Sequence, residues 1–175
     1  MHPCGTSGRL DCPTLVDAVE RYLAASVAND IDALVATLAS DAEVLSPISG
    51  RTVFRGREDM RTLLGAVYGA LRGLRWSEPI GDGAIRVAVG EGSVGPFQFS
   101  DAMVFEVDPD GAIIRIRPHL RPLIGLVALA AVLLPRLLRH PGLAMRALLG
   151  GAGPAFVQPA DEAEQELDFG RPERS

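Results

Sequence analysis

The sequence predicts an α+β fold in which helices wrap a curved antiparallel sheet, and three observations carry that prediction. Within residues 14–120, apolar residues at helical spacing are confined to the stretch before Gly73. Four extended segments follow it, separated by turn signals at Gly81-Asp82-Gly83, Gly92 to Pro96 and Asp108-Pro109-Asp110-Gly111. One of these segments, Phe97 to Val107, alternates strictly enough to assign its two faces. Helices first and a meander of strands afterwards is the order of an α+β domain.

Taken in order, residues 1–13 form a polar lead rich in Gly, Ser and Pro and are expected to be flexible. Thr14 and Asp17 have the spacing of a capping box, with Asp for the usual Glu. Leu15, Val16, Val19, Tyr22, Leu23 and Ser26 then predict a helix from about 14 to 28. Asn29-Asp30 interrupts it, and Ile31, Leu34, Val35 and Leu38 predict a second helix to Ala39. Glu43 to Ser46 reads as a brief strand stopped by Pro47, and Gly50 to Gly56 as a loop or short strand. From Glu58 to Leu71, the residues Met60, Leu63, Leu64, Val67, Tyr68 and Leu71 mark the clearest amphipathic helix. The four extended segments, Leu74–Glu78, Ala84–Glu91, Phe97–Val107 and Ala112–Leu120, complete the domain.

Composition narrows the function classes. The chain has 175 residues, enough for one domain with tails. All 17 basic residues are arginine. From Gly111 to Ala160 there are six arginines and no acid, so this stretch carries +6 and the remainder −11. A basic arm on an acidic body suits a membrane surface, an acidic partner or docking onto the body itself; without a basic fold motif, nucleic acid is not an expected partner. Cys4 and Cys12 make no disulfide scaffold, and no spaced Cys or His cluster predicts a metal. The N-terminus has no signal-peptide core, so a cytoplasmic setting is expected.

Three stretches resemble the NTF2-like cone fold, the superfamily of ketosteroid isomerases, SnoaL-type polyketide cyclases and limonene epoxide hydrolase. AVERYLAASVANDIDALVATLASDAEVLSPISG, Ala18 to Gly50, is similar to the opening of ketosteroid isomerases. FRGREDM, Phe54 to Met60, resembles the family's entry to its third helix, and FEVDPDGAIIRIR, Phe105 to Arg117, its last hairpin. The likeness spans roughly Thr14 to Leu120 and implies three helices packed on a curved sheet, with a pocket in the cone. It puts Tyr22 at the isomerases' oxyanion-donating tyrosine and Ser46, before Pro47, at their general-base aspartate, so that base is missing. Their second, protonated aspartate falls near Met103, two residues from Asp101. Against limonene epoxide hydrolase, Arg86 matches a catalytic arginine, but Ala88 and Pro118 replace the two aspartates.

Asp101 is the leading candidate on the residues themselves. It shares the apolar face of its segment with Phe97, Phe99, Met103, Phe105 and Val107. A carboxylate there needs a partner, a proton or a cavity. It is either a general acid or base, or a structural group paired to Arg86, Arg117 or a backbone amide. Tyr22 and, less directly, His119 are the candidate oxyanion donors. Ser46, Trp76, Phe97, Phe99, Met103 and Phe105 are the candidate substrate-binding residues, with core filling as the alternative for Trp76 and the apolar stripe for Tyr22.

Residues 121–151 are expected to form an apolar and basic helical extension beyond the family likeness. The run from Pro122 to Pro135 is fourteen residues, too short to span a bilayer as a helix. It is expected to act as a lid on the pocket, to mediate a homodimer, or to make a peripheral contact with a membrane. Residues 152–175 are an acidic tail expected to be disordered. The expected function is that of a cofactor-independent isomerase, cyclase or epoxide-opening enzyme acting on a lipophilic polyketide, terpenoid or steroid-like molecule. The alternative is a non-catalytic hydrophobic-ligand or interaction module whose arm docks a partner or membrane.

Overall fold

The computed structural model describes residues 17–47, 53–139 and 142. The Thr14 cap, both cysteines, the second half of the arm and the acidic tail lie outside them. Helix α1, Ala18–Ala28, is capped by Asp17, whose side chain accepts from the Val19 amide. Asn29, in the left-handed region at φ 55°, closes it. Asp30 accepts from the Ala33 amide at 3.0 Å and starts α2, Ile31–Ala36.

Helix α2 stops three residues before the sequence predicts, because Thr37 is diverted. Its hydroxyl donates to the Leu34 carbonyl, and its own carbonyl accepts from Ile113 at 3.1 Å, which pulls the chain into the sheet. Strand β1 is therefore Leu38–Leu45, longer than expected, and β2 is Val53–Arg55. Helix α3, Arg57–Tyr68, follows, and β3, β4, β5, β6 and β7 cover Arg72–Trp76, Ile85–Val94, Phe97–Val107, Ile113–Arg117 and Leu120–Arg121. Helix α4, Leu123–Leu137, ends the described fold.

The strands lie in the order β2-β1-β6-β5-β4-β3, with β7 added against β5. One pairing corrects the all-antiparallel expectation: β1 runs parallel to β6, because the helices and β2 separate them in the chain. The hairpin of β4 and β5 is the sheet's longest, in unbroken register from Val94↔Phe97 to Ile85↔Glu106. Gly95, at φ 56°, and Pro96 turn it in two residues.

The two faces of the sheet have different chemistry. On one, Arg55, Glu43, Arg115, Glu106 and Arg117 pair in succession across β2, β1, β6 and β5, with Arg115 Nη1 2.9 Å from Glu106 Oε2. The other face buries Phe99, Asp101, Met103 and Phe105 against the helices. Arg86 Nη1 lies 2.5 Å from Asp17 Oδ2 and ties β4 to the start of α1.

Helix α4 crosses the open end of this layered core. Gly125 lets it approach β5 closely: a Cβ there would lie 3.0 Å from that of Phe99 and 3.2 Å from the Gln98 carbonyl. Arg136 donates to the Ala66 carbonyl of α3 at 2.8 Å and fixes its other end. Among the described residues no helix is long and apolar enough to cross a membrane.

Candidate functional site

Asp101 is 4% exposed and faces the interior, as its alternation with Phe99, Met103 and Phe105 requires. Its partner is neither arginine. Arg86 is taken by Asp17 and Arg117 by Glu106, while the His119 amide donates to Asp101 Oδ1 at 2.7 Å. Burial pushes the carboxyl pKa up from 3.8 to about 6, against the opposing pull of that amide. The result is a buried acid poised to exchange a proton close to neutral pH.

Tyr22 reaches the same interior from α1 and Tyr68 from the end of α3. Tyr68 Oη donates to Tyr22 Oη at 3.0 Å, and the Tyr22 ring stands edge-on to Phe105 with centroids 5.3 Å apart. Burial raises both phenol pKa values, and the Asp101 charge raises them further, so the two phenols and the acid share one electrostatic environment. Both phenols keep their protons; that of Tyr68 is given to Tyr22, which leaves the Tyr22 O–H as the donor of the pair.

A cavity of about 100 Å³ adjoins this cluster. Val44, Phe54, Leu64, Tyr68, Met103 and Ile116 line it from the cone, and Leu126, Leu129, Ala130, Leu133 and Leu137 of α4 form its opposite wall. Asp101 does not line it directly. Its neighbours Met103, two residues along β5, and Leu120, the residue paired with Asp101 on β7, both line it. Ser46 is buried and lines the cavity, as does Pro47 beside it.

The other expected residues divide. Phe105 is fully buried behind the tyrosines, and Phe99 packs under Gly125 of α4. Phe97, at the hairpin end of β5, is 40% exposed and stands apart from the cavity, because alternation continues past the edge of the helical cover. His119 is corrected similarly: its ring is exposed, and Nδ1 lies 3.1 Å from both the Ala102 and Arg117 carbonyls. The hydrogen bond to the acid comes from the His119 amide, and the imidazole adds a smaller downward electrostatic pull on the carboxyl pKa.

Trp76 does not line the cavity either. Its indole Nε1 donates to Ser26 Oγ at 2.8 Å. Its ring lies over Gly90, where an added Cβ would come within 2.5 Å of it. Gly90 pairs with both Trp76 and Asp101, so the indole covers the backbone immediately beside the acid. Tyr68 is the site residue that the sequence concealed. Its place in the apolar stripe of α3 makes it indistinguishable from core, and only the tertiary meeting with Tyr22 gives its hydroxyl a role. Among the described residues no cluster of His, Cys, Asp or Glu could hold a metal.

The sequence profile of the SnoaL-like domain matches residues 19–116, from the first turn of α1 to β6. The chain belongs to the SnoaL-like domain family. No curated protein sequence matches it. This SnoaL-like chain is similar in structure to an uncharacterized protein with a cystatin-like fold from Silicibacter pomeroyi, at a TM-score of 0.67 and 19% identity, over 71% of this chain and 88% of that one. It is also similar to a steroid delta-isomerase from Pseudomonas aeruginosa, at 0.64 and 21%, over 71% and 92%. An NTF2-like protein of unknown function from Burkholderia xenovorans gives 0.53 and 21%, over 59% and 79%. At these identities the likeness is one of fold. The match ends at β6, so β7 and α4, which complete the cavity of this SnoaL-like domain, lie beyond the matched residues.

Proposed function

We propose that this SnoaL-like domain is a cofactor-independent acid–base enzyme that isomerises or cyclises a small lipophilic carbonyl compound. The observation that carries the reading is the buried Asp101 carboxyl, with its pKa near 6, beside the Tyr68–Tyr22 pair and an apolar cavity. In its ionised form Asp101 takes a proton from a carbon next to the carbonyl. Tyr22, strengthened as a donor by the bond it accepts from Tyr68, donates to the oxyanion that develops, and the proton returns from Asp101 to a different carbon of the same molecule. No redox equivalent or external group is needed. Polyketide, terpenoid and steroid-like ketones are the substrate class, because the cavity wall is almost wholly aliphatic.

A guest of that size needs more room. Ligand pockets run to roughly 300–1,000 Å³, so a substrate must displace part of the α4 wall, which also brings it closer to Asp101. The test incubates the full chain with β,γ-unsaturated ketones and linear polyketones of this class and follows double-bond migration or ring closure by proton NMR. Turnover is expected without added cofactor, absent in Asp101→Asn and reduced in Tyr68→Phe. Turnover equal to wild type in Asp101→Asn would end the assignment.

A second reading has its own support. Ser46 and Tyr68 are the cavity-lining residues with polar side chains, which suits storage or transport of a hydrophobic ligand as well as chemistry. Tight binding of the same compounds with no turnover at any pH between 5 and 9 would favour it.

A further inference from the structure

Helix α4 is apolar on two opposite sides, and the cavity explains one of them. Leu129, Leu133 and Leu137 face inward at a spacing of four. Leu123, Ile124, Val127, Ala131, Leu134 and Leu138 face outward. At about 100° per residue they fall within one arc of about 100°, and all six are exposed, Leu123 by 72% and Leu138 by 58%. The stripe is about 22 Å long and contains no polar side chain. Water is a poor neighbour for such a surface, and a helix apolar all round is normally covered on every side.

The charges beside the stripe indicate what covers it. Arg121 and Arg139 are exposed at its two ends, and the sequence has no Asp or Glu from Gly111 to Ala160. A second copy is a poor occupant: a two-fold pairing across α4 sets these arginines against their own counterparts with no acid on the helix to answer them. Homodimer interfaces are also only about 65% apolar, whereas this stripe is wholly aliphatic. A bilayer offers hydrocarbon beneath and phosphates at the level of the arginines. At fifteen residues α4 is too short to span one and suits lying in its plane.

We propose that the outer face of α4 docks on an anionic membrane surface, with Leu123, Val127, Leu134 and Leu138 in the acyl boundary and Arg121 and Arg139 at the lipid phosphates. The test is flotation of the full chain with phosphatidylcholine vesicles, with and without 30% phosphatidylserine, at low and high salt. Partitioning onto the anionic vesicles is expected to exceed that onto neutral ones at least tenfold, and to fall with salt. Val127→Glu/Leu134→Glu, at exposed positions outside the cavity wall, should lower it at least tenfold with the circular dichroism unchanged. Arg121→Gln/Arg139→Gln should remove most of the preference for phosphatidylserine and serves as the independent variant should the first lose its fold. No partitioning, or partitioning equal in both variants and wild type, overturns the proposal. So does a dimer dissociated by Val127→Glu/Leu134→Glu in a chain that ignores vesicles, which assigns the face to a second copy. Binding to polyglutamate but not to vesicles assigns it to an acidic protein.

Discussion

The Tyr68 and Tyr22 hydroxyls lie 3.0 Å apart in a fully buried setting, and this bond joins the end of α3 to the middle of α1. Tyr68→Phe removes the donor and leaves the Tyr22 oxygen without it. A buried polar group stripped of its partner costs roughly 1–3 kcal/mol. Urea denaturation of both single Phe variants and the double variant should show that loss, with the double variant losing less than the two singles combined.

Asp101 makes stability depend on pH in an unusual direction for a carboxylate. Its folded pKa, about 6, lies above the ordinary 3.8, so the fold binds the proton more tightly than the unfolded chain does. The contribution is fully present below about pH 4 and is lost as pH rises through 6, a loss of about 3 kcal/mol by pH 7. Asp101→Asn can still accept from the His119 amide and carries no charge. It should therefore be more stable than wild type at pH 7 and match it at pH 4, as read by urea midpoints across the range.

Gly90→Ala should disturb the acid from the side. The new Cβ would sit 2.5 Å from the indole ring, so Trp76 must shift and lose its bond to Ser26. Overpacking of this kind costs roughly 1–3 kcal/mol. Trp76 is the sole tryptophan in the chain, so its emission maximum should move to longer wavelength as the ring leaves its seat.

Leu133→Ala enlarges the cavity from the α4 side. Stability should fall by roughly 2–5 kcal/mol. Affinity for bulky hydrophobic probes should rise, which calorimetric titration with a naphthalene-sized ligand can measure. Unchanged affinity would indicate that guests enter elsewhere.

Local patterning made much of this fold readable before any coordinates. The Phe97–Val107 alternation matches β5 from end to end, and it singles out Asp101 as the buried acid. Met60, Leu63 and Leu64 likewise announced the inner face of α3. Long-range pairing was not readable. Thr37 leaves its helix because Ile113 claims its carbonyl, and nothing local to Thr37 announces a strand 76 positions away. For the same reason alternation leaves the partner of Asp101 open between Arg86, Arg117 and a backbone amide. Both arginines found acids nearer in space, and the actual donor is a main-chain amide that no side-chain pattern encodes. His119 and Phe97 show the limit of alternation, which gives a side but not where the cover over that side ends.

The short strand β7 gears the acid to the roof. Leu120 is paired with Asp101, the amide one residue before it holds the carboxylate, and three residues after it α4 begins. An outward tilt of α4 would therefore pull on the peptide that favours the ionised form of Asp101. With that grip loosened the acid would keep its proton more firmly, so that displacing the roof and raising the proton affinity of the acid would be one event.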